Sequence, residues 1–135
     1  MKKIKAIIMR EDDGTYLATF AKDYGLGYCA NGVGETVEEA KESLFDSYAE
    51  IKAYYKDAGK KFIEADIEFE FETAAFLENF SGQFSLSGLE RITGINQRQL
   101  SHYLNGVKRP KDSTVQKINT ALFNFGAELQ RVHLV

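Results

Sequence analysis

Near the N-terminus apolar and polar residues alternate, with Ile4, Ala6 and Ile8 on one side of KIKAIIMR. A period of two predicts a strand over residues 3–10. Glu11-Asp12-Asp13-Gly14 reads as a turn whose Asp-Gly pair suits a hairpin, and residues 15–20 (TYLATF) return antiparallel. Asp23-Tyr24-Gly25-Leu26-Gly27 is a loop, Tyr28-Cys29-Ala30 a short third strand, and Asn31-Gly32-Val33-Gly34 a second break. The period then changes. Val37, Ala40, Leu44, Tyr48, Ile51 and Tyr55 recur at helical spacing as one apolar stripe. Thr36 and Glu39 form a capping box at its start, and Gly59 stops it. Ile63, Ala65, Ile67, Phe69 and Phe71 next alternate with Glu64, Asp66, Glu68, Glu70 and Glu72. This strand has one apolar face and one carboxylate face.

From residue 73 the pattern is helical and broken by short turns. Thr73 can cap a short helix that buries Ala75, Phe76, Leu77 and Phe80. Ser85 or Ser87 can start the next, with Leu86, Leu89 and Ile92 inward. Thr93-Gly94-Ile95 is a tight turn, and Asn96 caps a third helix from Gln97 whose Leu100, Tyr103 and Leu104 supply its core side. Gly106 ends it and Pro110 bars its continuation. Asp112 or Ser113 caps a last helix with Val115, Ile118, Leu122, Phe125 and Leu129 inward, and Gly126 is a candidate break. The expected fold is α+β: an N-terminal antiparallel sheet on one long helix (β-β-β-α-β) over 1–72, then an all-α domain over 73–135.

Composition changes this picture little. The chain has 135 residues, enough to bury a core, and 44% hydrophobic with 27% charged residues is ordinary for a globular protein. No apolar run approaches bilayer-spanning length, and the short run from Ala6 to Met9 is too brief for a signal-peptide core. A lone cysteine, Cys29, forms no internal disulfide. A cytoplasmic protein without membrane contact is expected.

Charge changes it more. Residues 1–72 carry 10 Lys/Arg and 16 Asp/Glu, and residues 73–135 carry 7 and 4, so nets of -6 and +3 make the total of -3. Such asymmetry suggests two surfaces with different partners. The carboxylate face of residues 64–72 has two readings. It is either a solvated face that keeps an edge strand from aggregating or a docking surface for a basic partner. Catalysis is not expected, because carboxylates alternating along one strand form a line, whereas metal-dependent hydrolysis needs acids converging from several elements. No zinc spacing, P-loop or GxGxxG occurs, so neither metal nor cofactor is expected.

The helix from Gln97 presents the other chemistry. Gln97, Arg98, Ser101, His102 and Asn105 share its outer face, beside Gln99, without the Glu and Lys pairs usual on an exposed helix. Gln, Asn and Arg make bidentate contacts with base edges, and Ser101 and the helix N-terminus suit phosphate. Lys108, Arg109 and Lys111 would extend the contact along the backbone. A helix, a Gly-containing turn and a polar second helix form a helix-turn-helix pattern that points to double-stranded DNA.

Residues 85–111, SLSGLERITGINQRQLSHYLNGVKRPK, resemble the Xre/Cro-type helix-turn-helix family. The family has a small residue where the two helices touch, and the register here offers Glu90 or Gly88 for that place. The first half is similar to HicB-type antitoxins, a truncated ribonuclease-H-like fold. The resemblance rests on Gly32 to Ala40 (GVGETVEEA), with Asp23 to Gly27 in place of the family's D-L-P-G loop and without its proline. Together they imply an antitoxin of a type II toxin–antitoxin pair, not an enzyme. It would neutralise a small basic HicA-type ribonuclease and bind its operator as a homodimer or higher even oligomer. The candidate toxin contacts are Tyr24, Tyr28, Asp66, Glu68 and Glu70. The alternative is a stand-alone transcriptional regulator whose N-terminal domain binds a ligand or dimerises, and a third class is a degenerate nuclease.

Overall fold

The computed structural model describes all 135 residues. The chain divides into two compact units, Met1–Asn79 and Phe80–Val135. The first holds a four-stranded sheet with β1 (Lys2–Arg10), β2 (Tyr16–Phe20), β3 (Asn31–Gly34) and β4 (Ala65–Phe71), the helix α1 (Val37–Asp57) and the short α2 (Thr73–Asn79). The second holds α3 (Leu86–Thr93), α4 (Gln97–Leu104) and α5 (Asp112–Gln130). α2 therefore groups with the sheet, beyond the expected division after residue 72.

The hairpin forms where Asp-Gly predicts it. Gly14 adopts φ 86°, and the Asp13 carboxylate accepts from the Thr15 amide at 3.0 Å and its hydroxyl at 2.6 Å. β1 and β2 pair antiparallel from Arg10 opposite Tyr16 to Ala6 opposite Phe20. The strand order is β3-β2-β1-β4, and β4 runs parallel to β1. The expected all-antiparallel sheet is thus corrected to a mixed α+β one. β3 runs in the direction of β1, α1 carries the chain back across the sheet, and the next strand repeats that direction, as a helical crossover requires.

A second correction concerns the third strand, which lies at Asn31–Gly34 and not at residues 28–30. Its glycines read as breakers in the sequence, yet they make room for α1. A Cβ on Gly32 would stand 2.1 Å from the Leu44 amide nitrogen, and one on Gly34 2.5 Å from the Glu39 Cβ. Glycine in a strand is here the condition for close backbone approach.

α1 starts at its capping box. The Thr36 hydroxyl accepts from the Glu39 amide at 3.1 Å, and the Glu39 carboxylate accepts from the Glu35 amide at 2.9 Å. Its stripe buries Val37, Ala40 and Leu44 against Ile4, Ala6, Ile8, Tyr16, Ala18 and Phe20. Fully burying a side chain such as Leu44 contributes about 1.5–3 kcal/mol. Alternation then turns Lys3, Lys5, Leu17, Thr19, Val33 and the carboxylates of β4 to the opposite face of the sheet.

In the second unit Leu89, Ile95, Leu100, Tyr103 and Ile118 are buried, with Phe84 edge-on to Phe125 at 6.3 Å. Ser85 caps α3, accepting from the Gly88 amide at 2.9 Å. α5 begins at Asp112 with Lys111 in the cap position and no side-chain cap, so neither Asp112 nor Ser113 caps it. Asp112 instead places negative charge in the first turn, where the helix dipole favours it. Gly126 does not break α5, which runs through it to Gln130. No helix is long and apolar enough to cross a membrane.

Candidate nucleic-acid interface

The turn between α3 and α4 is built by side chains. Gly94 takes the left-handed conformation (φ 74°) that ends α3. The buried Thr93 hydroxyl donates to the Leu89 carbonyl at 2.7 Å and accepts from the Ile95 amide at 3.1 Å. Ile95 is thereby seated in the core between the helices. Asn96 caps α4, its side-chain oxygen accepting from the Arg98 amide at 2.7 Å. Glu90, one turn back on α3, reaches across and accepts from the Gln97 amide at 2.8 Å. Two of the amides left open at a helix N-terminus are therefore satisfied from within the chain.

The far end of α4 is as well defined. Gly106 at φ 73° donates to the Tyr103 carbonyl at 3.3 Å, and Val107 donates to the His102 carbonyl at 3.0 Å. This is the double closure of a Schellman motif. Lys108 also donates its amide to His102 at 3.3 Å, which fixes where the basic stretch leaves the helix.

Between these ends the expected face separates into two groups. Gln97, Arg98 and Asn105 are exposed, as are Lys108, Arg109 and Lys111. Ser101 and His102 are half-buried, and Ser101 accepts from the Asn105 side-chain amide at 3.3 Å. Gln99 lies apart from the face, half-buried with its side-chain amide donating to the Tyr103 hydroxyl. Gln99 thus braces α4 onto its own core side. The surface offers donors and acceptors at Gln97, Arg98 and Asn105 and positive charge at the end of the helix. That set can contact base edges and phosphates.

Glu90 is the residue of the turn that sequence reasoning left out of the site. It stood out only as an acid where a small residue was expected. A carboxylate seven residues before the first helical amide was the available signal, but its use depends on the turn geometry.

In the first unit the predicted carboxylate face contracts. Asp66, Glu68 and Glu70 are exposed along β4, an edge strand. Glu64 precedes β4 and pairs with Lys52 of α1, and that hydrogen bond and charge hold its carboxyl below the usual range. Glu72 follows β4, its amide donating to the Ile8 carbonyl at 2.9 Å and its carbonyl accepting from Phe76 at 3.0 Å as the chain enters α2. The remaining three acids have basic neighbours. Lys3 lies opposite Asp66 and Lys5 opposite Glu68, and Lys5 bonds Glu70 at 3.1 Å, which raises the Lys5 pKa.

The two tyrosines named as partner contacts have internal work. Tyr28 stacks on Phe62 at 4.7 Å and meets Phe20, Tyr48 and Tyr55 edge-on. Its hydroxyl donates to the Ile63 carbonyl at 2.6 Å, and burial, with Tyr48 adding, pushes its phenol well above the ordinary range. Tyr24 accepts from the Lys5 amide at 3.0 Å, and Lys22 lies 5.2 Å over its ring. Both tie the 21–30 loop to the sheet and α1. No three His, Cys, Asp or Glu side chains gather to hold a metal ion.

No protein-family model matches the chain, and no curated protein matches it in sequence.

Proposed function

We propose that this chain is a HicB-like antitoxin whose second unit is a helix-turn-helix that binds operator DNA, and whose first unit neutralises a small basic ribonuclease. The observation that carries the DNA reading is the α3–α4 turn. Thr93, Glu90 and Asn96 fix it while Gln97, Arg98 and Asn105 stay exposed on the second helix. A rigid turn that presents a polar helix face suits insertion into a major groove. The order β3-β2-β1-β4, with a helical crossover into a parallel β4, supports the ribonuclease-H-like reading of the first unit. A fold of that kind need not be catalytic. The edge position of Asp66, Glu68 and Glu70 supports a basic partner there by charge complementarity.

Operator reading needs at least two copies, because one such helix touches few base pairs. The proposed self-contact uses the second half of α5 and the residues after it, where Phe123 is 78% and Leu134 86% exposed, with Leu129 and Val132 also open to solvent. The second reading, a stand-alone regulator with an N-terminal ligand-binding or dimerisation domain, is favoured by the lysines beside the acidic stripe. Lys3 and Lys5 leave it less in need of a cationic partner.

Co-expression with the basic protein encoded by a neighbouring short reading frame separates the two. Co-purification of both chains, and relief of that protein's toxicity, is the expected result. Separate elution with toxicity unrelieved would leave the stand-alone regulator.

A further inference from the structure

Glu90 combines two properties that pull in opposite directions at a DNA-binding surface. Its carboxylate completes the turn, accepting from the Gln97 amide at 2.8 Å. It also puts an acidic side chain at the start of α4, against the amide of Gln97, whose sequence neighbours Asn96 and Arg98 are exposed. Backbone amides at a helix N-terminus are donors that phosphate oxygens commonly use. Here Asn96 and Glu90 already occupy two of them. A neutral acceptor would still close the turn, through a weaker hydrogen bond, and the unit carrying α4 is otherwise basic. Charge at this point repels the one feature that every DNA sequence shares, its phosphates, and leaves base edges to be recognised by Gln97 and Arg98.

We infer that Glu90 is a positioning and specificity-determining residue, which holds the first turn of α4 in place while suppressing sequence-independent binding to the phosphate backbone. This rests on the DNA-binding reading and extends it. Positioning and repulsion are separable. Glu90→Gln keeps an acceptor for the Gln97 amide and loses the charge, whereas Glu90→Ala loses both.

The experiment titrates the full chain and both variants against two labelled duplexes of equal length over a range of salt. One duplex covers the DNA immediately upstream of the chain's own reading frame, and the other has a mixed sequence. Thermal melts identify properly folded variants. For Glu90→Gln we expect binding to the mixed duplex to tighten about 3–10-fold at low salt, with a salt slope steeper by about one. Upstream binding should change less, so the preference for that duplex narrows. Glu90→Ala should also lose about tenfold or more on the upstream duplex, which Glu90→Gln restores. Wild-type affinity and salt slope in Glu90→Gln for the mixed duplex would overturn the inference and leave the DNA-binding reading intact. A wild-type chain that binds neither duplex would overturn both.

Discussion

The outer face of α4 and the acidic stripe of β4 are both polar, exposed surfaces, yet the chain treats them differently. At the two ends of α4 the backbone groups are closed from within the chain, through Glu90, Asn96 and Gly106. The side chains of Gln97 and Arg98 stay at the surface, and the exposed Asn105 side chain also donates to Ser101. Along β4 the charged side chains are themselves engaged or flanked, Glu70 by Lys5, Asp66 by Lys3 and Glu68 by Lys5. A surface whose scaffold is fixed and whose Gln97 and Arg98 side chains make no internal bond suits the proposed partner. A surface whose charges are balanced in place is closer to one that only has to stay soluble. The geometry thus suits the proposed DNA contact at α4 more than the proposed docking of a basic protein at β4.

The comparison can be broken most severely from below. Gly32→Ala sets a Cβ 2.1 Å from the Leu44 amide, so α1 must lift from β3. We expect a loss of about 3 kcal/mol or more from the first unit. Tyrosine near-ultraviolet circular dichroism during urea unfolding measures it, since six of the seven tyrosines lie in that unit. A wild-type midpoint would mean that the close approach is not needed.

Next in size is the α4 face itself. Arg98→Ala should cost about 1–3 kcal/mol on a specific site and relax discrimination at one base pair. Lys108→Ala should weaken all duplexes alike and lower the salt slope by about one. Titration of the two variants against the same set of duplexes distinguishes the roles, and equal behaviour would erase the distinction between base and phosphate contacts.

The stripe should respond less. Replacing Asp66 with Asn and Glu68 and Glu70 with Gln removes one exposed ion pair, whose loss should leave the melting temperature close to wild type. If a basic partner docks there, its association should slow by roughly tenfold at low salt, and the difference should shrink as salt screens it. Stopped-flow association at two ionic strengths is the check, and unchanged rates would return β4 to a solvated edge.

Smallest is a pH effect. Lys52 holds the Glu64 carboxyl below its ordinary value of 4.5, and Thr15 does the same for Asp13 below 3.8. A depressed folded pKa contributes stability that is present above the unfolded value and lost as pH falls through the folded one. Lys52→Met should therefore flatten the fall in melting temperature between neutral pH and the acid range. The same slope in both proteins would show that the pair does not couple to folding.

Much of this was legible in the sequence because it is local. The Asp-Gly turn, the Thr36 box, the Asn96 cap and the alternation of β4 each depend on residues a few positions apart. What was not legible depends on distant neighbours. Gly32 and Gly34 look like breakers until α1 is laid against them. β4 looks antiparallel until the crossover fixes its direction, and five acids look like one stripe until Lys52 claims Glu64 and Glu72 turns into α2. In the candidate site the outer face of α4 followed from spacing. Glu90 did not, because an acid on one helix gains its role only when the turn brings the next helix's amide within 2.8 Å.

The central claim is that α4 reads DNA sequence, and the direct measurement is the ratio of affinities for two duplexes at physiological salt. One carries the DNA immediately upstream of the chain's reading frame, and the other is the same bases scrambled. A specific reader prefers the first by about 10³-fold or more, and Arg98→Ala reduces that ratio while leaving the melting temperature unchanged. Equal affinities for the two duplexes, or a ratio that Arg98→Ala does not move, would contradict the account.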